Sequence, residues 1–145
     1  MTLPEGSRLH ALAETLDAVP NLDADALVQA LSASITFDDV VPWVRFDAAN
    51  YRRNLVARTD RWEIRLMCWR PGQSTSLHPH GDSACAFRII RGSATETRLG
   101  DRDRVWTQGE VVREPNGAVV HQMANREMDA LITLHVYSPP LPVDA

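Results

Sequence analysis

The chain is expected to fold as an all-β body, a small barrel or sandwich, with α-helices packed outside it. Three patterns predict this. Apolar residues recur at helical spacing before residue 45, alternation begins at Tyr51, and turn-forming stretches punctuate the remainder. A length of 145 residues suits one domain with its own core. The helical part should cover about residues 7–45 and the β-rich part about 51–140, within a single domain spanning 1–145.

The elements follow in order. In SRLHALAETLDAVP, Leu9, Leu12, Leu16 and Val19 fall on one helical face, and Pro20 ends the run. His10 on that helix reads as a solvent-facing or helix-packing side chain. DADALVQALSASI offers Asp23 as a cap, with Ala24, Leu27, Val28 and Leu31 as the apolar stripe. FDDVVPWV reads as a short helical or turn segment. In RWEIRLMCW, Trp62, Ile64, Leu66 and Cys68 share one face, with Glu63 and Arg65 on the other. Cys68 then behaves as a small buried hydrophobe. The stretches RPGQ, PHGD, RGS, LGDRD, TQGE, EPNG and MANRE supply the turns. Trp69 and Trp106 fit either the barrel interior or its rim.

Composition narrows the function. Fifteen basic against nineteen acidic side chains give a net charge of −4, which disfavours nucleic acid or an anionic membrane as partner. No apolar stretch is long enough to span a bilayer, and MTLPEGSRLH lacks the pattern of a signal peptide. Two cysteines without such a signal suggest reduced thiols and a cytoplasmic setting. Oligomeric state is not specified; a monomer is compatible with the sequence.

Histidines cluster unevenly. In HPHGDSACAFRIIRG, His78 and His80 are two apart and would point the same way on a strand. His121 follows in PNGAVVHQMAN and His135 in LITLHVYSPP, with Met123 close to His121 in sequence. Taken alone, an HxH pair is weak evidence of a metal site. Its surroundings are more specific. Gly72, His78, His80, Cys85 and Gly92 form one spaced string, and Gly109, Pro115, Asn116, Gly117, His121 and Asn125 form a second.

The two strings resemble the paired motifs of the cupin superfamily, a family of small antiparallel β-barrels, over roughly Tyr51 to Pro140. There are two departures. The second motif has an extra residue before its histidine, and Cys85 stands where most cupins carry a ligating glutamate. That leaves three neutral imidazoles and no ligating carboxylate, a donor set that keeps the full charge of a dication and favours an anionic, soft ligand such as a thiolate. The exchange of glutamate for cysteine marks the thiol dioxygenases, typified by cysteine dioxygenase. YRRNLV, CWRPGQSTSLHPH and LHVYSPP are also similar to segments of that family.

The resemblance implies ferrous iron, Fe(2+), held by His78, His80 and His121. It implies that Arg53 pairs with the substrate carboxylate, with Tyr51 on the same face and Arg52 on the other. A guanidinium fork suits that partner. On TLHVY, Thr133, His135 and Tyr137 share a face and could link hydroxyl to imidazole to phenol. The family usually has serine at the Thr133 position. Ser138-Pro139 resembles a family position with a cis peptide bond, and Cys85 resembles the cysteine that is joined to the matching tyrosine by a thioether in animal relatives. The alternative for Cys85 is packing alone.

The implied reaction is oxidation of L-cysteine by O2 to cysteine sulfinic acid. Relatives acting on 3-mercaptopropionate carry a glutamine at the position of Leu55 and an arginine beyond the closing prolines. Here the tail LPVDA has none, which favours L-cysteine. Alternatives are another small thiol, 3-mercaptopropionate among them, and a non-catalytic cupin that binds a metal or thiol.

Overall fold

The computed structural model describes residues 2–79, 81–114 and 119–142. The helices form as their sequence signals dictate. Helix α1 (Arg8–Ala18) is capped by Ser7, whose hydroxyl accepts the His10 amide at 3.2 Å. Helix α2 (Ala24–Leu31) is capped by Asp23, which accepts the Ala26 amide at 2.9 Å. Val19 stands at the C-cap of α1 rather than extending its stripe. FDDVVPWV becomes the single turn α3 (Phe37–Val40), set by a Thr36/Asp39 capping box, followed by a 3-10 turn over Val41–Trp43. His10 lies 3.2 Å from Glu14 on the partly exposed face of α1.

Nine strands follow: β1 (Arg52–Arg58), β2 (Glu63–Trp69), β3 (His78–Pro79), β4 (Ala84–Arg91), β5 (Ser93–Arg98), β6 (Arg104–Thr107), β7 (Val111–Arg113), β8 (Val120–Ala124) and β9 (Leu131–Ser138). Those described strands form a five-stranded sheet, ordered β1-β2-β9-β4-β7, and a four-stranded sheet, ordered β3-β8-β5-β6. All of the pairings are antiparallel.

The larger sheet is covered on both faces. Ile64, Leu66, Cys68, Ala86, Ile132, Leu134 and Val136 pack with Leu9, Leu12, Leu16, Leu27 and Leu31 from the helices. Met67, Trp69, Phe87, Ile89 and Leu131, from its other face, form a second cluster with Ala94 and Met123 of the smaller sheet. The predicted face of Trp62, Ile64, Leu66 and Cys68 is thus the helix-facing one. Double coverage explains why the neighbouring polar residue Glu63 is fully buried, where it is held by Arg58 and Arg65.

Polar contacts anchor the helices to this body. The Trp62 indole donates to Asp17 at 2.8 Å, and Arg61 donates to the Leu16 and Asp17 carbonyls at the end of α1. Arg88 on β4 likewise donates to the Leu31 carbonyl at 3.0 Å, closing the end of α2. The Ser138-Pro139 peptide bond is cis.

Candidate metal and substrate site

A cavity of about 590 Å³ opens between the two sheets. Three walls matter for its chemistry. Strands β3 and β8 bring His78 and His121 together as register partners, with ring centroids 4.7 Å apart and the rings edge-on at 62°. His78 Nδ1 lies 2.8 Å from the Ser76 carbonyl, and His121 Nδ1 lies 3.0 Å from a Glu96 carboxylate oxygen. When each Nδ1–H donates to its oxygen, each Nε2 carries the lone pair that a metal requires. Both residues line the cavity. His80, expected as the companion of His78, lies outside the described residues, as do Pro115, Asn116 and Gly117 of the second motif. Two imidazoles with their tautomers set in this way fit a divalent transition metal.

The second wall comes from the start of β1. Tyr51 and Arg53 both line the cavity, whereas Arg52 is exposed, as the alternation predicts. Tyr51 stacks on Trp69 at 4.3 Å between ring centroids and 11° between planes.

The third wall is β9. Thr133 Oγ1 and His135 Nε2 are 2.7 Å apart, and the fully buried Trp69 indole donates to the same hydroxyl at 3.1 Å. The His135 ring lies between those of Phe87 and Tyr137, at 5.1 and 6.1 Å and within 20° of parallel to each. The expected row of polar groups is therefore buried inside the molecule, and the first link of the expected hydroxyl–imidazole–phenol chain is present. Trp69, which the sequence left between interior and rim, is interior and joins the second wall to the third.

Cys85 on β4 is the direct register partner of Tyr137 on β9. The Cys85 thiol donates to the Ala86 carbonyl at 3.8 Å. Cys85 and Tyr137 are both buried, and burial pushes the thiol and the phenol well above their ordinary ranges. The nearby Glu114 carboxyl adds to the rise at Cys85, and Cys85 adds to it at Tyr137. Both groups are protonated at neutral pH. Among the described residues Cys68 and Cys85 are free thiols.

Two acidic residues here were not anticipated from the sequence. Glu96 on β5 is fully buried, and Glu114, just past β7, is 3% exposed. Glu114 Oε2 lies 3.4 Å from the same His121 Nδ1 that Glu96 contacts. Glu96 Oε1 also accepts from the Trp106 indole at 3.1 Å and pairs with Arg98 at 3.1 Å. Burial alone would raise the Glu96 carboxyl, but the bonds from His121 and Trp106 and the Arg98 charge outweigh it. Glu96 is thus an anion. Glu114 is pushed up to about 8 by burial and by the Glu96 charge beside it. A sequence signal for Glu96 did exist. In SATETR, Ala94 and Glu96 alternate onto one face, so a barrel assignment would turn the carboxylate inward. Met123, expected near His121, lines the same cavity.

Comparison with known proteins bears on this arrangement. The profile of the family described as cysteine dioxygenase type I matches residues 7–144. The Danio rerio protein named cysteine dioxygenase type 1 is 29% identical over 116 residues, covering 70% of this chain and 58% of that protein. The Homo sapiens protein of the same name is 27% identical over 137 residues, covering 86% of this chain and 68% of that protein. The chain thus spans little more than half the length of the zebrafish relative. Among solved structures, TT1209 from Thermus thermophilus superposes with a TM-score of 0.64 at 20% identity, covering 74% of this chain and all of that one. A Klebsiella pneumoniae protein described as having a double-stranded β-helix domain gives 0.62 at 21% identity, covering 69% and 86%. A cupin from Desulfovibrio desulfuricans gives 0.56 at 21% identity, covering 68% and 91%. The fold is the double-stranded β-helix of the cupins, as the motif strings imply. Among the described residues, no helix is long and apolar enough to cross a membrane.

Proposed function

The chain belongs to the cysteine dioxygenase type I family, and from that premise we propose that it is a non-haem iron thiol dioxygenase acting on L-cysteine and O2 to give cysteine sulfinic acid. The observation that carries the proposal is convergence. Segments far apart in sequence, bearing Tyr51 and Arg53, His78, His121, and His135 and Tyr137, line one cavity.

In this reading His78, His80 and His121 hold a ferrous ion. When bound, the ion supplies the redox chemistry that lets dioxygen react with a thiolate. The remaining tasks fall to side chains. Arg53 takes the substrate carboxylate through its planar fork, which orients the sulfur within the cavity. Tyr51, stacked on Trp69, holds the wall beside it. Thr133 holds His135 in place through the 2.7 Å contact, and the His135 ring packs along the Tyr137 phenol. Tyr137, protonated because it is buried, is a hydrogen-bond donor to the reacting groups. Thioether formation between Cys85 and Tyr137 would oxidise the pair by two electrons and remove two hydrogens, with dioxygen as oxidant. It would restrict the phenol to one orientation. The setting is the cytoplasm, where thiols remain reduced.

Anaerobic loading with Fe(II), followed by oxygen uptake and product analysis over a panel of thiols, tests the proposal. L-cysteine should be the best substrate, with sulfinic acid as product. Faster turnover of 3-mercaptopropionate would move the assignment to that thiol, and tight metal binding without thiol-dependent oxygen uptake would replace it with a binding role.

A further inference from the structure

The Cys85 position deprives the metal site of the glutamate that most cupins place there, yet a buried carboxylate stands behind one of the remaining histidines. We propose that Glu96 is a positioning residue for the metal centre, acting through Nδ1 of His121 and making this histidine a carboxylate-backed member of the ligand set. The inference rests on the three-histidine reading above and adds a residue to it.

The geometry assigns each oxygen of Glu96 a task. Oε1 accepts from the Trp106 indole and forms an ion pair with the Arg98 guanidinium, both at 3.1 Å. Oε2 then faces His121 Nδ1 at 3.0 Å. The carboxylate cannot rotate without giving up a charge-assisted bond, and it has no proton to offer. His121 must therefore be the donor at Nδ1, which leaves Nε2 as its metal-binding nitrogen. A carboxylate in this place also makes the imidazole a stronger electron donor. Partial negative charge thus reaches the ion through the ring, one residue further out than in a directly ligating glutamate. Glu114 braces the arrangement. Its oxygen lies 3.4 Å from the same nitrogen, beside the Glu96 carboxylate. Its backbone amide donates to the Cys85 carbonyl at 3.0 Å, so the brace begins beside the position from which the ligating glutamate is missing.

Glu96→Gln tests this sharply because the amide has only one acceptor. Trp106 and Arg98 both need an oxygen, so the NH2 group must turn toward His121. It would then donate to Nδ1, force the proton onto Nε2 and spoil the ligand. Fe(II) affinity, measured anaerobically by competition with a chelator, should fall tenfold to a hundredfold. In zinc-loaded wild type, a diamagnetic stand-in, nitrogen–proton NMR of the imidazole should place the His121 proton on Nδ1, protected from exchange. Trp106→Phe removes a donor to Oε1 but leaves the contact with His121, so it should keep both the affinity and the Nδ1 proton. The unfolding midpoint of each metal-free variant checks folding. Wild-type affinity in a folded Glu96→Gln protein would overturn the inference, as would a zinc-loaded wild type with the proton on Nε2. Failure of the wild type to bind either ion would instead remove the three-histidine reading itself, and this inference with it.

Discussion

Removing the Arg53 guanidinium should weaken L-cysteine far more than a thiol lacking a carboxylate. A charge-assisted pair contributes about 1.5–3 kcal/mol, so Arg53→Ala should raise the KM for L-cysteine roughly 10- to 150-fold. Cysteamine should be poor with the wild type and lose little more with the variant; equal losses for both would assign Arg53 a structural role. Trp69→Phe keeps an aromatic ring against Tyr51 but deletes the donor to Thr133. It should lower kcat with KM and iron content nearly unchanged, at a stability cost of about 1 kcal/mol. An unaltered kcat would reduce the indole to a space-filling part. Cys85 and Tyr137 can be followed by intact mass. Turnover with cysteine and oxygen should accumulate a species two hydrogens lighter, absent from Cys85→Ala. Extended turnover that leaves only the original mass would assign Cys85 to packing.

Periodicity revealed α1, α2, β2 and β9, because an apolar stripe in helices and alternation in strands each mark the face that packs, whereas turn signals alone announced the other strands. Asp23 was readable as a cap for the same local reason, as its side chain closes on the Ala26 amide three residues away. The two-sided burial of the larger sheet was less visible, since it depends on where the helices dock. Glu63 shows the consequence. It reads as a polar outer position, yet a second layer covers it. Family motifs indicated His78, His121, Arg53 and Tyr137. Glu96 and Glu114 carry no motif and become meaningful only once β5, β7 and β8 are brought together. The turn from β4 to β5 shows how one residue controls such an approach. Gly92 has a φ of +86°, and a Cβ there would lie 2.5 Å from the Ala130 carbonyl oxygen and 3.2 Å from the Leu131 Cα. Backbone atoms cannot yield as a flexible side chain can, and the conformation itself disfavours other residues by about 1–3 kcal/mol. Gly92→Ala should lower the denaturation midpoint by more than that strain alone implies. A midpoint like that of the wild type would show that the β4–β5 turn relaxes freely.

The whole molecule carries the charge arrangement of its site as a dependence of folding on pH. In the metal-free protein the Glu114 carboxyl is held up at about 8, from an ordinary 4.5, by burial and the neighbouring Glu96 charge. Its folded value exceeds its unfolded one, so between those values the folded state binds more of this proton than the unfolded state. Glu114 therefore contributes stability that is fully present below about pH 4.5 and is lost as pH rises through about 8. Glu96 has the opposite sign. Its carboxyl is depressed, so its contribution is present above the ordinary range and declines as the solution is acidified. Glu114→Gln keeps the shape of a neutral carboxyl while removing its titration. Subtracting the unfolding free energy of this variant from that of the wild type cancels most of the other titrations, which the two proteins share. The difference should decline from pH 5 to pH 8, with a slope no steeper than about 1.4 kcal/mol per pH unit, the limit for one proton. Denaturant titrations of metal-free protein at several pH values would measure it. A flat difference would mean that Glu114 is ionised throughout, and that the Glu96–Glu114 pair holds two charges rather than one.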